Sequence, residues 1–296
     1  EASSNSDYGK PGMFGADLNA SYYTIEQPYT LMYTTASQAS YIIETAPSVD
    51  FSGNEELRNA YMGEAYFWRA FAHYYLLINF RNISPIRQMP RNGDDYVRPL
   101  EKPAAVWNFI QEDLAHAKEL MPVKGYWDSK NAGRVTKASA AALLGKAYLY
   151  RSGIEQYYGE DKTTFYSEAA KEFGDVIDGK YGTYDLTKNY ADNFDVAHEN
   201  NEESILEFQF LGDVDNAGFN PGLATSGLAF DSRGLMLPGA GVGYEGVVHN
   251  WLYNAFVNSV DKDGYTDIRM FSTMIFNDLD ASIHLRNDAG GNPVRL

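Results

Sequence analysis

The chain has 296 residues, 44% of them hydrophobic, enough to bury the core of one large domain or two ordinary ones. Its 40 acidic residues against 24 basic ones give a net charge of −16, a field that repels polyanions and argues against nucleic acid or an anionic membrane surface as a direct partner. The absence of Cys excludes disulfides, zinc–thiolate sites and thiol catalysis, and no run of about 18 apolar residues offers a membrane span.

What the composition favours is a neutral ligand. Aromatic residues make up 15% of the chain, with 23 Tyr and 16 Phe, and Tyr offers a flat apolar face with a polar tip. Residues 1–24 are rich in Gly, Ser, Asn, Asp and Tyr without sustained period and read as a loop region; the polar start EASSNSDYGK is not a signal peptide. Helical spacing then runs over 29–45 and stops before Pro47. From Asn54 a long helix, NEELRNAYMGEAYFWRAFAHYYLLINF, opens with Glu55 and Glu56 in its first turn. The Pro-rich stretch 81–103 is a surface connection. Pro103 starts AAVWNFIQEDLAHAKELM, which Pro122 closes. The loop VKGYWDSKNAGR exposes Tyr126 and Trp127, Thr136 caps KASAAALLGKAYLYRSG, Gly153 is expected to end it, and another helix spans about 164–177 before Gly179.

Past residue 180 the pattern changes. Ile205, Glu207 and Gln209 alternate with Leu206, Phe208 and Phe210, which predicts a strand. Residues 211–246 are Gly-rich and aperiodic, longer than a passive connection. A last amphipathic helix is expected over about 247–259. Within the helical part, Leu144, Gly145, Tyr148, Ala169 and Phe173 fit the tetratricopeptide spacing, with an ordinary helical hairpin as the alternative.

On a wheel of ~100° per residue, Tyr61, Ala65, Trp68, Ala72, Tyr75 and Leu76 share one arc of the long helix, and Phe67, Phe71, Tyr74 and Ile78 the next. Those rings read as core, with neighbours on two sides, while Arg58, Asn59, Arg69 and His73 form the polar sector. Glu64 falls inside the apolar arc, so its carboxylate requires a partner, expected to be a helix-end amide or a basic group of the next hairpin.

GEAYFWRAFAHYYLLINF closely resembles the Gly-Glu-Ala-x-Phe-x-Arg-Ala signature helix of the SusD/RagB family, here Gly63, Glu64, Ala65, Phe67, Arg69 and Ala70. GRVTKASAAALLGKAYLYRSG resembles its second signature helix, and NNEESILEFQF its Asn-x-Glu-Ser-Ile strand, at Asn201, Glu203, Ser204 and Ile205. The three come in family order between about 29 and 270. Members continue the first signature with Phe-Gly-x-Val-Pro, where this chain has Phe80-Arg81-Asn82-Ile83-Ser84-Pro85, and they are considerably longer, so the chain reads as a fragment or trimmed form.

The resemblance implies a mainly α fold, tetratricopeptide-like hairpins in an α-α superhelix supporting a loop-rich region with a few short strands. One domain would span 1–296, with the scaffold at about 25–180 and the ligand region at about 1–24 and 181–296. It also implies a lipid-anchored protein on the outer surface of the outer membrane that captures an oligosaccharide, or less often a peptide. Its partner would be a SusC-like TonB-dependent transporter, and membrane contact would come only through an anchor this chain does not carry. A peptide-binding tetratricopeptide scaffold and a glycoside hydrolase are the other classes considered.

Sugars present apolar C–H faces for stacking and hydroxyls for amide and carboxylate partners, which calls for rings on loops beside Asn, Asp or Arg. On that argument the ligand-binding candidates are Asn19, Tyr22, Tyr23, Phe219, Phe230, Arg233 and Tyr244, with Trp127 beside Tyr126 as an outlying one. No catalytic set emerges. The five His lack metalloprotease spacing and no nucleophile elbow occurs. Gly241, Gly243 and Gly246 make a G-x-G-x-x-G without the preceding strand a dinucleotide site needs. No cofactor is expected. The partial loops Asp213, Asp215 and Gly218, and Asp261, Asp263 and Asp267, leave a structural calcium open but lack the full ligand spacing and closing Glu.

Overall fold

A computed structural model describes residues 19–21, 23–159, 162–209 and 250–273. Five helices follow one another: α1 (Tyr23–Thr45), α2 (Glu55–Phe80), α3 (Pro103–Leu120), α4 (Lys137–Tyr158) and α5 (Tyr166–Ile177). Each packs chiefly on its neighbour in sequence, as stacked antiparallel pairs do. Two short helices, α6 (Asn250–Asn258) and α7 (Met270–Thr273), come later. The described residues fall into two compact units: one holds the five helices to Asp185 together with Ser204–Glu207, the other Leu186–Glu203 and the described residues from Phe208 onward.

The starts are written locally. Asn54 Oδ1 accepts from Leu57 N at 3.0 Å, Pro103 needs no N–H at its first-turn position, and at α4 the Ser139 hydroxyl accepts from Thr136 N at 3.2 Å. Helix α1 begins earlier than the apolar period suggested and runs through Pro28, its sixth residue, which cannot donate the bond to the carbonyl four residues back. Helix α4 passes Gly153 and stops at Gly159, whose φ of 71° suits a residue without Cβ. Tertiary bonds hold the extra turn: Ser152 Oγ accepts from Phe165 N at 2.8 Å, and buried Glu155 is paired.

The core of the helical unit is built from α2, α3 and α4 around Phe67, Tyr74, Leu76, Trp107, Ile110, Leu114 and Leu144. Burying each such side chain stabilises by about 1.5–3 kcal/mol before entropy is counted. Two glycines set the helix spacing. A Cβ on Gly63 would lie 2.9 Å from Met121 N, and one on Gly145 would lie 2.8 Å from Phe173 Cε1, so the tetratricopeptide-like Gly145/Phe173 positions are in direct contact between α4 and α5.

Two more sequence expectations change. Ser204–Gln209 is not a strand: among the described residues there are isolated bridges and no sheet, so this segment has no ladder to join. It docks instead by side chains, Leu206 against the main core, Ile205 against Ala138, Ala141, Val176 and Tyr181, with Ser139 Oγ donating to Ile205 O at 2.8 Å. The polar sector of α2 is also not solvated throughout, because Arg69 is 6% and His73 0% exposed.

Candidate functional site

Two ion pairs organise α2. Arg69 donates through Nε and Nη2 to both oxygens of Asp113 on α3, at 2.7 and 2.8 Å, and through Nη1 to Ser40 Oγ and Arg87 O. Burial pushes the Asp113 carboxyl up, and the Arg69 hydrogen bonds pull it back. One turn on, His73 Nδ1 faces the Arg69 carbonyl, which only accepts, and Nε2 faces the Ile86 N–H, which only donates, both at 2.8 Å. The ring is therefore the neutral Nδ1–H tautomer, and burial brings its pKa down to about 3. Arg69, Asp113 and His73 tie α1, α2, α3 and the 84–87 strap into one piece, sealed inside it.

Glu64 is the acid expected to be paired, and its partner is a basic group of the next hairpin. Its carboxylate accepts two bonds from Arg134, that from Nε at 2.9 Å. The Glu64 hydrogen bonds hold the Arg134 pKa above its ordinary value, so it is a permanent cation. Its guanidinium lies 4.7 Å from the Tyr61 ring and 4.5 Å from the Trp127 ring, and those rings stack within 16° of parallel. Trp127 Nε1 donates to Val135 O at 3.2 Å, which fixes the indole from its other edge.

This assembly borders a cleft of about 450 Å³ between α1, the turn at Ala46–Ser48 and the first half of α2. Gln38, Ile42, Val49, Phe51, Tyr61 and Trp68 line it, with Glu64 and Arg134 among them. The volume falls in the range of small-molecule sites. Its charges cancel internally, and what it offers outward is ring faces, aliphatic surface and a few polar side chains. That suits a neutral ligand with apolar faces and hydroxyls.

Of the residues singled out from sequence, Trp127 packs on Tyr61 and Arg134, two residues of the cleft lining, without lining it itself, and Tyr126 lies edge-on to the Trp127 ring at 4.9 Å. Asn19 is exposed, and its Oδ1 accepts from Ser21 N at 3.0 Å. Tyr23 opens α1. Tyr22, Phe219, Phe230, Arg233, Tyr244, the 241–246 glycines and the 213–218 loop lie outside the described residues, as does the side chain of Tyr23. In the 261–267 turn, Asp261 Oδ1 accepts from Asp263 N and Tyr265 N, and Arg269 occupies the Asp267 carboxylate. Among the described residues no group of His, Asp or Glu is arranged to hold a metal ion, and no helix is long and apolar enough to cross a membrane. Sequence reasoning missed Tyr61 and Trp68 as cleft residues, because an aromatic stripe at helical spacing reads as core and gives no signal of where the stack stops covering it.

Residues 4–149 match a family model described as SusD-like, starch-binding and associating with the outer membrane. A SusD-like protein of Bacteroides ovatus is 29% identical over 180 residues, 60% of this chain and 32% of its own length, so the chain spans about a third of that curated relative. Among solved structures, a SusD superfamily protein from Bacteroides vulgatus superposes with a TM-score of 0.67 over 90% of this chain and 51% of its own, at 21% identity. A laminarin-binding SusD-like protein gives 0.60 over 72% of this chain and 43% of its own, at 25% identity. Sequence and fold lead to one family: over residues 4–149 the chain matches the SusD-like proteins, the SusD/RagB family.

Proposed function

We propose that this chain is the helical part of a cell-surface protein that captures neutral oligosaccharides without cleaving them and passes them to a TonB-dependent transporter of the outer membrane. The observation that carries the reading is the cleft of about 450 Å³ lined by Tyr61 and Trp68, with Trp127 stacked on Tyr61, in which the Glu64–Arg134 charges are mutually satisfied. A sugar stacks its C–H face on such rings and meets no uncompensated charge. The family's starch-binding description and the laminarin-binding neighbour support the ligand class. Anchoring by lipid on the outer surface and hand-over to the transporter are proposed from family membership. The loops around Asn19–Tyr23 and Phe219–Tyr244 are proposed as further ligand contacts in their own right.

Calorimetric titration with laminari-, xylogluco- and malto-oligosaccharides tests the reading. Trp127→Ala and Tyr61→Ala are each expected to weaken the bound oligosaccharide about tenfold, or ~1.4 kcal/mol, with no product released. Wild-type affinity in both variants would defeat the assignment of this cleft.

A further inference from the structure

A second cleft, of about 510 Å³, lies at the far end of α2, about 24 Å along the helix axis from Glu64. It is lined by Ile78, Asn79 and Arg81 from the end of α2, Trp107 from α3, and Tyr157 and Tyr158 from the last turn of α4. Its centre is an unusual backbone. Arg81 has φ 61° and ψ −68°, and Asn82 N–H donates to Phe80 O at 2.7 Å across it. That is a γ-turn of positive φ, the rare and strained hand, with a long side chain where glycine would rest more easily.

The side chain explains why the strain persists. Arg81 donates through Nη1 and Nη2 to the two oxygens of Glu155, at 2.8 and 2.7 Å, and Glu155 is fully buried. Trp107 Nε1 donates to the same carboxylate at 2.8 Å. The other face of the guanidinium lies 4.2 Å from the Tyr158 ring. One residue thus clamps the end of α2 to the end of α4 and sets the orientation of Tyr158, which meets Tyr157 edge to face at 5.1 Å. A tight turn alone would not need this, since glycine makes it without strain.

What the clamp displays is ring surface. Tyr157 is 83% exposed and Tyr158 58%, on helix positions that an ordinary solvated face would fill with charge. Arg81 and Glu155 neutralise each other, so the cleft has no net charge to recruit an anion, and the chain's negative field discourages one further. Two tyrosines set edge to face, each with a hydroxyl, beside the Asn79 amide, fit a pyranose ring: an apolar face to stack and hydroxyls within reach of donors and acceptors.

We propose that this cleft is a second binding site for a neutral saccharide, stacked on Tyr157 and Tyr158, with Arg81 as the positioning residue. The ligand class rests on the glycan-binding reading above; the location does not. The test is calorimetric titration of the full chain with laminarihexaose, a xyloglucan oligosaccharide and maltohexaose, with far-UV circular dichroism to check the fold of each variant. The variants are Trp127→Ala, the double Tyr157→Ala/Tyr158→Ala, and Tyr157→Phe/Tyr158→Phe.

The expected result is that Trp127→Ala still binds a saccharide, that adding the tyrosine-to-alanine pair weakens this residual binding at least tenfold, and that the phenylalanine pair keeps it within about threefold. Exposed positions such as Tyr157 tolerate alanine without unfolding, so the loss reports the ring. If Trp127→Ala abolishes binding and the tyrosine-to-alanine pair titrates like wild type, the second site is overturned and the first stands. If Trp127→Ala and Tyr61→Ala change nothing while the tyrosine-to-alanine pair abolishes binding, the first cleft falls and this one stands. A wild-type chain that takes up none of the three saccharides overturns both.

Discussion

Arg69–Asp113 and Glu64–Arg134 are both carboxylate–guanidinium pairs anchored on α2, five residues apart, yet they do different work. The first is sealed, with side chains 7% and 3% exposed; the second opens on a cleft, with Arg134 30% and Glu64 13% exposed. In the sealed pair every bond goes to protein, so it holds the helices in register. In the open pair the guanidinium lies against Tyr61 and Trp127, so it holds a ring of the cleft lining and the ring stacked on it. A charge pair in a helical stack therefore speaks for fold or for binding according to what its outer face meets.

The largest test of that contrast is Asp113→Ala, which leaves Arg69 as an uncompensated buried cation. It is expected to lower unfolding free energy by about 3–5 kcal/mol in urea melts. A loss below about 1 kcal/mol would put the two pairs in the same class.

The next test uses His73, which belongs to the sealed region. Its folded pKa of about 3 lies below the ordinary 6.5, so the unfolded chain binds a proton that the folded chain refuses. Its contribution is present above about pH 6.5 and is lost as pH falls toward 3, at about 1.4 kcal/mol per pH unit. His73→Gln, compared with wild type in melts from pH 7 to 4, should show a pH slope shallower by about one proton; parallel slopes would mean that His73 titrates normally.

The smallest effect is expected at the open pair. Glu64→Ala should cost about 1 kcal/mol, since Arg134 keeps solvent and both rings, and should leave oligosaccharide affinity within about twofold. A folded Glu64→Ala protein that no longer binds would give the carboxylate a direct role with ligand.

Much of this molecule is legible in the chain because the rules involved are local. Asn54, Pro103, Thr136 and Gly179 mark element ends by their own hydrogen-bonding and φ preferences, and the Leu144-Gly145 spacing foretells a close approach that Phe173 completes. The pairing of Glu64 follows from its angle on the wheel, and the partner's class from the cost of an unpaired charge. Trp127 is legible as a ring on a polar loop. Reasoning of this kind goes wrong where the deciding partner is remote in sequence. Gly153 should stop α4, but Ser152 and Glu155 are bonded across the fold. The alternation after Ser204 should make a strand, but it finds helices rather than a ladder.

Sequence by itself determined the helices, their caps and their order, because backbone propensity and apolar period act within a turn or two. Tertiary structure alone decided that Arg69 and His73 go inside, that Tyr61 and the core-packed Trp68 also line a cleft, and that Arg81 endures a strained turn to hold Glu155. Each of those outcomes depends on which group from a distant helix arrives at a given face, and the free energy of burying a charge or baring a ring is set by that neighbour.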